Sequence, residues 1–329
     1  MARSTMLYPF IFQPIFKERI WGGRNIERLY QKKLPPKILI GESWEISDRP
    51  EDESVIANGP LAGKSIRWLM ENHRQELLGP VKPAASGRFP LLIKILDAQE
   101  KLSLQVHPPA AKAAQLGGDP KTEMWYIADA TTEAELYVGL KRGTTRDEFE
   151  KRIRDGTVAD CFPTVPVKKG DAMFLPSGRV HAIGAGNVIF EIQENSDTTY
   201  RVFDWNRVDA LGKPRELHVE KSLESIDFHD FEPPLVSDKF IEQKNISQRN
   251  LVSDPLFTVD LLKISSGATS VLVKNLMQII GVIEGEISVN YRESKIILKS
   301  GEFVLIPASL ENVSLAATCS AAFLKIGSG

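Results

Sequence analysis

Apolar residues in this chain come in short alternating runs, cut every few residues by glycine or proline. Val271–Tyr291 (VLVKNLMQIIGVIEGEISVNY) and Arg292–Leu315 (RESKIILKSGEFVLIPASLENVSL) show the pattern most clearly. A period of two with frequent turn residues builds β-strands, and many short strands must close into a sandwich or barrel. Gly285 marks an expected hairpin between two such strands. Helical rhythm is rare. Ser65 caps a predicted helix that carries Ile66, Leu69, Met70, His73 and Leu77 on one face and stops at Gly79. Thr145 and Glu148 have capping-box spacing, and the Ala-rich Pro109–Gly118 forms a further short helix.

The unit Gly170-Asp171, apolar run, Pro176 recurs as Gly301-Glu302, apolar run, Pro307. Between the copies, Phe231–Asn250 is polar and aperiodic, with two prolines. A boundary near residue 240 follows. Residues 1–240 form one domain and residues 241–329 a second, related lobe. At 329 residues, with 42% hydrophobic and 26% charged, the chain has core enough for both. Forty-one Lys and Arg against 43 Asp and Glu leave a net charge of -2, too little positive charge for a general nucleic-acid binder. No apolar run approaches the ~20 residues of a membrane-spanning helix. Pro9 and Pro14 break the N-terminal apolar stretch, so no signal peptide is expected. The two cysteines, Cys161 and Cys319, are too few for a disulfide scaffold, which fits a reduced, cytoplasmic setting.

Five histidines exist. His73 sits in a predicted helix, His229 in an acidic stretch and His218 at a helix start, all ordinary structural or solvated positions. His107 differs. Alternation through Leu102–His107 puts Ser103, Gln105 and His107 on one strand face and Leu102, Leu104 and Val106 on the other, with Gln105 and His107 about 7 Å apart. His181 follows Gly170, Pro176 and Gly178 at the spacing of the second cupin motif, in which a Pro-x-Gly turn aims the histidine into a barrel mouth; Ala185 stands where that motif usually has Asn. Glu123 opens the next apolar strand and offers the missing carboxylate. Two imidazoles, a carboxylate and an amide oxygen suit Zn²⁺ or another borderline divalent ion, and spacing alone leaves zinc and iron open. Lys94 interrupts the apolar strand Phe89–Leu96, Lys121 precedes Glu123 by two residues, and Arg201 lies near Asp197 and Asp204, its possible ion-pair partners. Three cations beside a metal mouth fit an anionic, phosphorylated substrate.

Six ordered motifs now stand together: Ile15–Gly23 (IFKERIWGG), Gly41–Pro50 (GESWEISDRP), Leu102–Pro108 (LSLQVHP), Lys121–Ile127 (KTEMWYI), Val165–Gly186 and Glu191–Trp205. They resemble the type I mannose-6-phosphate isomerases, in the short bacterial branch of that cupin family, over residues 8–240. The resemblance implies a mainly β chain of two cupin-type jelly-roll barrels with a few short helical insertions. It implies one zinc ion per chain on Gln105, His107, Glu123 and His181. Arg201 matches the family's catalytic arginine, Lys121 and Lys94 its active-site lysines, and Ser103 with Lys121 its phosphate contacts. The implied activity is the aldose–ketose isomerisation of mannose 6-phosphate and fructose 6-phosphate through an enediol, by a cytoplasmic monomer or weak homo-oligomer. Pro120 departs from the longer branch, which has a histidine beside the lysine, so a mechanism with that histidine as base does not carry over. A non-catalytic sugar-sensing cupin and an Fe(II) oxygenase are the competing readings. The first usually lacks a ligand or the arginine, all present here; the second needs no lysine pair.

Overall fold

The computed structural model describes residues 6–208 and 212–327. In the N-terminal part eight strands follow one another: Leu91–Ala98, Leu104–Val106, Glu123–Ala130, Glu135–Val138, Thr164–Pro166, Ala172–Leu175, His181–Ile183 and Asn187–Glu194. The first, eighth, third and sixth lie side by side in one sheet, and the second, seventh, fourth and fifth in the facing one. Eight later strands, Thr258–Ile264, Thr269–Val271, Gln278–Glu284, Glu286–Tyr291, Ser294–Lys299, Phe303–Ile306, Ser314–Ala317 and Ala321–Gly327, repeat both orders. The molecule is therefore mainly β, two jelly-roll barrels of one topology, as the strand pattern implied. The glycine repeat has a structural meaning. Gly170 (φ 93°) and Gly301 (φ 79°) each turn the chain in the left-handed region before the sixth strand of their barrel.

Extra strands enlarge both first sheets. Ile15–Gly23 and Ile40–Ile46 extend the N-terminal one, and Ile241–Gln243 and Ile246–Ser253 the C-terminal one. Strand Tyr200–Phe203 adds to the facing N-terminal sheet beside Leu104–Val106. The barrels share a core. Phe10, Ile26, Leu69 and Phe190 pack in one buried cluster with Phe257, Ile280 and Phe303, the Phe190 and Phe303 rings 5.4 Å apart. Phe10 also exchanges two backbone hydrogen bonds with Leu305. Among the described residues no helix is long and apolar enough to cross a membrane. Both cysteines are free thiols, Cys161 buried and Cys319 exposed.

Two local expectations change. Gly285 is not a hairpin turn: Gln278–Glu284 pairs with Phe303–Ile306 and Ala321–Gly327, whereas Glu286–Tyr291 pairs with Ser294–Lys299 and Ser314–Ala317. The glycine (φ 77°) is the corner at which the chain passes from one sheet to the other, and a side chain there would meet the Ser320 carbonyl at 2.7 Å. The single helix expected from Ser65 to Gly79 is two, Ile66–Asn72 and Arg74–Leu78, broken where His73 leaves helical geometry and packs on Trp68. Its ends are as expected: the Ser65 side chain accepts the Trp68 N–H and Gly79 closes the second piece. Thr145 likewise caps Arg146–Arg154 by accepting the Glu148 N–H, but the Glu148 carboxylate pairs with Arg152. His218 is the N-cap position of helix Val219–Ser225.

The two repeat glycines give a paired test. A Cβ at Gly170 meets nothing within 4 Å, whereas one at Gly301 would lie 2.4 Å from Tyr30 Cγ. Gly170→Ala should cost about 1–2 kcal/mol, the left-handed backbone penalty alone. Gly301→Ala should lower the melting temperature further, because its methyl group also displaces the Tyr30 ring. Equal melting temperatures for the two variants would show that the contact with Tyr30 contributes nothing.

Candidate active site

The short strand Leu104–Val106 organises the site. Leu104 and Val106 are buried in the core behind it, so Gln105 and His107 turn the other way, into the barrel mouth. Ladder register then lines up three side chains: His181 lies across from Gln105 on one neighbouring strand, and Arg201 lies across from it on the other. Glu123 arrives from the opposite sheet, where it pairs with Gln193 and Leu175. The chain after His107 therefore crosses the mouth instead of returning beside Gln105.

His107, Glu123 and His181 are buried and bring their ligand atoms within 4.8 Å of one another. His181 Nε2 is 3.2 Å from Glu123 Oε1, and His107 Nε2 is 3.6 Å from Glu123 Oε2. Each imidazole is held from behind. His107 Nδ1–H donates to the Thr198 carbonyl at 2.8 Å and His181 Nδ1–H to the Arg179 carbonyl at 2.9 Å. A carbonyl only accepts, so both Nδ1 atoms carry the proton and both Nε2 lone pairs face the carboxylate. Gln105 Nε2 lies 3.4 Å from His181 Nε2, and rotating that amide by half a turn presents its oxygen to the same point. Burial and then the Lys121 ammonium push His107 down to about 3, which keeps the ring neutral. Burial alone would raise the Glu123 carboxyl, but Lys121 and the two histidines hold it well below the usual carboxylate range. Glu123 Oε1 receives no hydrogen bond and Oε2 meets only the Lys121 ammonium, although both are sealed from solvent. A charged, buried carboxylate with one oxygen unpartnered, facing two imidazole lone pairs, is the chemistry of a divalent cation site with N/O donors.

A cleft of about 430 Å³ opens from this cluster, and Lys94, Ser103, Gln105, Lys121 and Arg201 line it. Lys94 is buried mid-strand with Glu191 at 3.3 Å, Glu42 at 3.6 Å and Asp197 at 4.0 Å. Burial would lower its pKa, but Glu191 and Glu42 outweigh that and raise it, so the ammonium stays charged. Burial would raise Glu42, yet Lys94 and Arg19 bring it down to about 2. The Arg19 guanidinium and the Trp44 indole each donate to Glu42 at 2.6 Å. Lys121 Nζ is 2.5 Å from Glu123 Oε2, 3.3 Å from His107 Nε2 and 3.8 Å from Glu191. Lys121 therefore stands directly against the His107–Glu123–His181 cluster. Ser103 is buried in the cleft wall.

Arg201 forms no ion pair with Asp197 or Asp204, the partners expected from sequence. Asp197 faces Lys94, and Asp204 is taken by Arg207 and Arg215 at 2.5 Å each. Arg201 Nη1 donates to the Glu216 carbonyl at 2.7 Å, while its Nε is buried and unpartnered. Burial and then Arg215 lower its pKa.

Glu42, Glu191, Arg19 and Arg215 line the cleft and were not singled out from sequence. One signal was available. Glu191 interrupts the apolar strand Asn187–Glu194 as Lys94 interrupts Leu91–Ala98, and the ladder sets the two directly opposite.

Comparison with known proteins agrees with this geometry. The family model for the type I phosphomannose isomerase catalytic domain matches residues 10–151, and the mannose-6-phosphate isomerase cupin domain matches residues 247–325. Mannose-6-phosphate isomerase ManA of Bacillus subtilis is 38% identical over 310 residues, 93% of this chain and 95% of that protein. The crystal structure of a mannose 6-phosphate isomerase from Bacillus subtilis superposes with a TM-score of 0.87 at 32% identity, covering 97% of this chain and 99% of that one. A zinc-bound mannose 6-phosphate isomerase shares the fold at 16% identity and a TM-score of 0.76. With this coverage by family models and full-length relatives, the chain belongs to the type I mannose-6-phosphate isomerase family.

Proposed function

We propose that this protein interconverts mannose 6-phosphate and fructose 6-phosphate, with one zinc ion per chain held by Gln105, His107, Glu123 and His181. The observation that carries the reading is the buried Glu123 carboxylate, whose Oε1 has no hydrogen-bond donor and which two Nε2 lone pairs face, beside a cleft lined by Lys94, Lys121 and Arg201. The names of the full-length relatives supply the substrate, and the zinc-bound structural neighbour supplies the metal. Zinc in such a site polarises neighbouring sugar oxygens as a Lewis acid.

This chain's own residues do the rest. Arg201, across the ladder from Gln105, stabilises the charge of the enediolate next to the metal ligands. Its unpartnered Nε is a donor waiting for an oxygen, and its fork can span two vicinal oxygens. Lys121 and Ser103 bind substrate. The position of Lys121 against His107 and Glu123 supports a role for its ammonium at the reacting end of the sugar. Lys94, kept charged between Glu191 and Glu42, assists ring opening as a proton donor.

All residues of the cleft lie within residues 1–240, which we take as the catalytic domain, and residues 241–329 as a degenerate cupin lobe without a metal. That lobe contains no histidine, and its shared core braces the catalytic barrel. The cleft is assembled from a single chain, so we propose a monomer or weak homo-oligomer, in the cytoplasm where sugar phosphates are handled.

Two experiments test this. Elemental analysis of the purified protein should find one zinc per chain. Chelation should abolish coupled turnover of mannose 6-phosphate, and zinc should restore it; full activity in metal-free protein ends the assignment. Arg201→Ala should lower turnover by about 10²–10³, as for loss of one oxyanion donor, with a smaller change in KM. Its melting temperature should stay near that of the parent, because Arg201 braces no carboxylate. A strongly raised KM at unchanged turnover would move Arg201 to the phosphate.

A further inference from the structure

Charge is distributed unevenly across the cleft. On the metal side three carboxylates, Glu42, Glu123 and Glu191, interlock with three cations, Arg19, Lys94 and Lys121. Asp197 adds a fourth carboxylate 4.0 Å from Lys94, so that wall has no surplus of positive charge. On the other side Asp204 is the carboxylate paired with Arg207 and Arg215, and Arg201 has no ion pair among the described residues. Glu216 offers Arg201 its backbone carbonyl, and its own side chain is exposed. The surplus of positive charge lies here, on Arg201, Arg207 and Arg215 around the single carboxylate of Asp204.

A phosphate monoester carries close to two negative charges at neutral pH and rewards bidentate arginine contacts. Its place in an open-chain sugar is at the end opposite C1 and C2. Lys94 and Lys121 are buried and engaged with carboxylates at the reacting end, so neither is free to serve it. Arg215 lines the same cleft as Gln105 and Arg201 and enters from the segment that packs against Arg201. That segment is well tied down. The Arg201 N–H donates to His218 Nδ1 at 3.1 Å, and the His218 N–H donates back to the Arg201 carbonyl at 2.8 Å. Arg215 is fixed further by Asp204, which accepts from Nε at 2.7 Å and from Nη2 at 2.5 Å. Among the described residues this grip leaves Nη1 as the donor without a partner. Asp204 is buried, whereas the Arg215 side chain keeps 29% of its surface exposed.

We infer that Arg215, oriented by Asp204, is the residue that selects phosphorylated over plain sugars by binding the substrate's phosphate dianion at the outer end of the cleft. The inference rests on the isomerase reading above. It makes Asp204 a positioning residue acting through Arg215, and leaves Arg201 for the reacting end.

The test uses the holoenzyme and the variants R215M, R215K, D204N and R207M. Phosphate is bound equally in ground and transition states, so its loss belongs in KM. R215M should raise KM for mannose 6-phosphate by about 10–100-fold with turnover little changed, the range of one charge-assisted hydrogen-bonded contact. R215K, which keeps the charge but loses the fork, should fall between R215M and the parent. D204N should raise KM in the same direction. R207M, which alters the other arginine on Asp204, should leave KM unchanged and so controls for mere damage to the loop. Calorimetric titration with inorganic phosphate reads the same site without turnover, and its affinity should fall in R215M by the factor seen in KM. Unaltered KM and unaltered phosphate affinity in R215M, or a fall in turnover at constant KM, overturns the inference. If the parent binds phosphate through Arg215 yet does not turn over mannose 6-phosphate, the isomerase reading fails and the anion subsite stands.

Discussion

The Glu123 carboxylate is the constraint around which the N-terminal barrel is arranged. Fully buried and ionised, it must be compensated by charge, because an isolated carboxylate in such surroundings would take up a proton. Lys121, His107 and His181 meet that need from three sides. Each is constrained in turn: the imidazoles by carbonyls of Thr198 and Arg179, the lysine by Glu191. Glu191 then reaches Lys94, Lys94 reaches Glu42, and Glu42 reaches Arg19. The chain of opposite charges runs across five neighbouring strands. Loss of one member leaves the next uncompensated, which is why the network holds its side chains in place without a bound sugar.

The second barrel explains how such a network is afforded. A wall of buried charge contributes little net stability. The apolar cluster that joins Phe190 to Phe303, and Phe10 to the strand at Leu305, supplies it from outside the site. Duplication of one eight-strand topology thus yields two unequal partners. One barrel keeps polar residues at its mouth. The other keeps the glycine turn at Gly301 but has no histidine after it, and spends its surface on packing.

Much of this was legible in the sequence. The period of two and the glycine spacing specified strands and their repetition, since both follow from local backbone geometry. Gln105 and His107 were found by alternation, and His181 by a turn that any chain must make with glycine. Lys94 was conspicuous because a lysine inside an apolar run has to be compensated. Ser65 and Thr145 were legible as caps because a cap is a contact within one turn of helix.

What only the tertiary structure decided concerns partners far apart in the chain. Lys94 meets Glu42 across 52 positions and Glu191 across 97, and no local pattern encodes either pairing. Gly285 reads locally as a hairpin, yet which strands accept its neighbours depends on the sheet order of the closed barrel. Arg201 stood near two aspartates in sequence and pairs with neither, because strand direction points it at Gln105 while Arg207 and Arg215 occupy Asp204. The sequence by itself determined the residue types of the site and the strands that carry them, because backbone periodicity is local. The division of the cleft into a carboxylate-rich side around Glu123 and an arginine-rich side around Asp204 came only with folding, because the electrostatics of a buried group depends on every charge brought within a few ångströms of it.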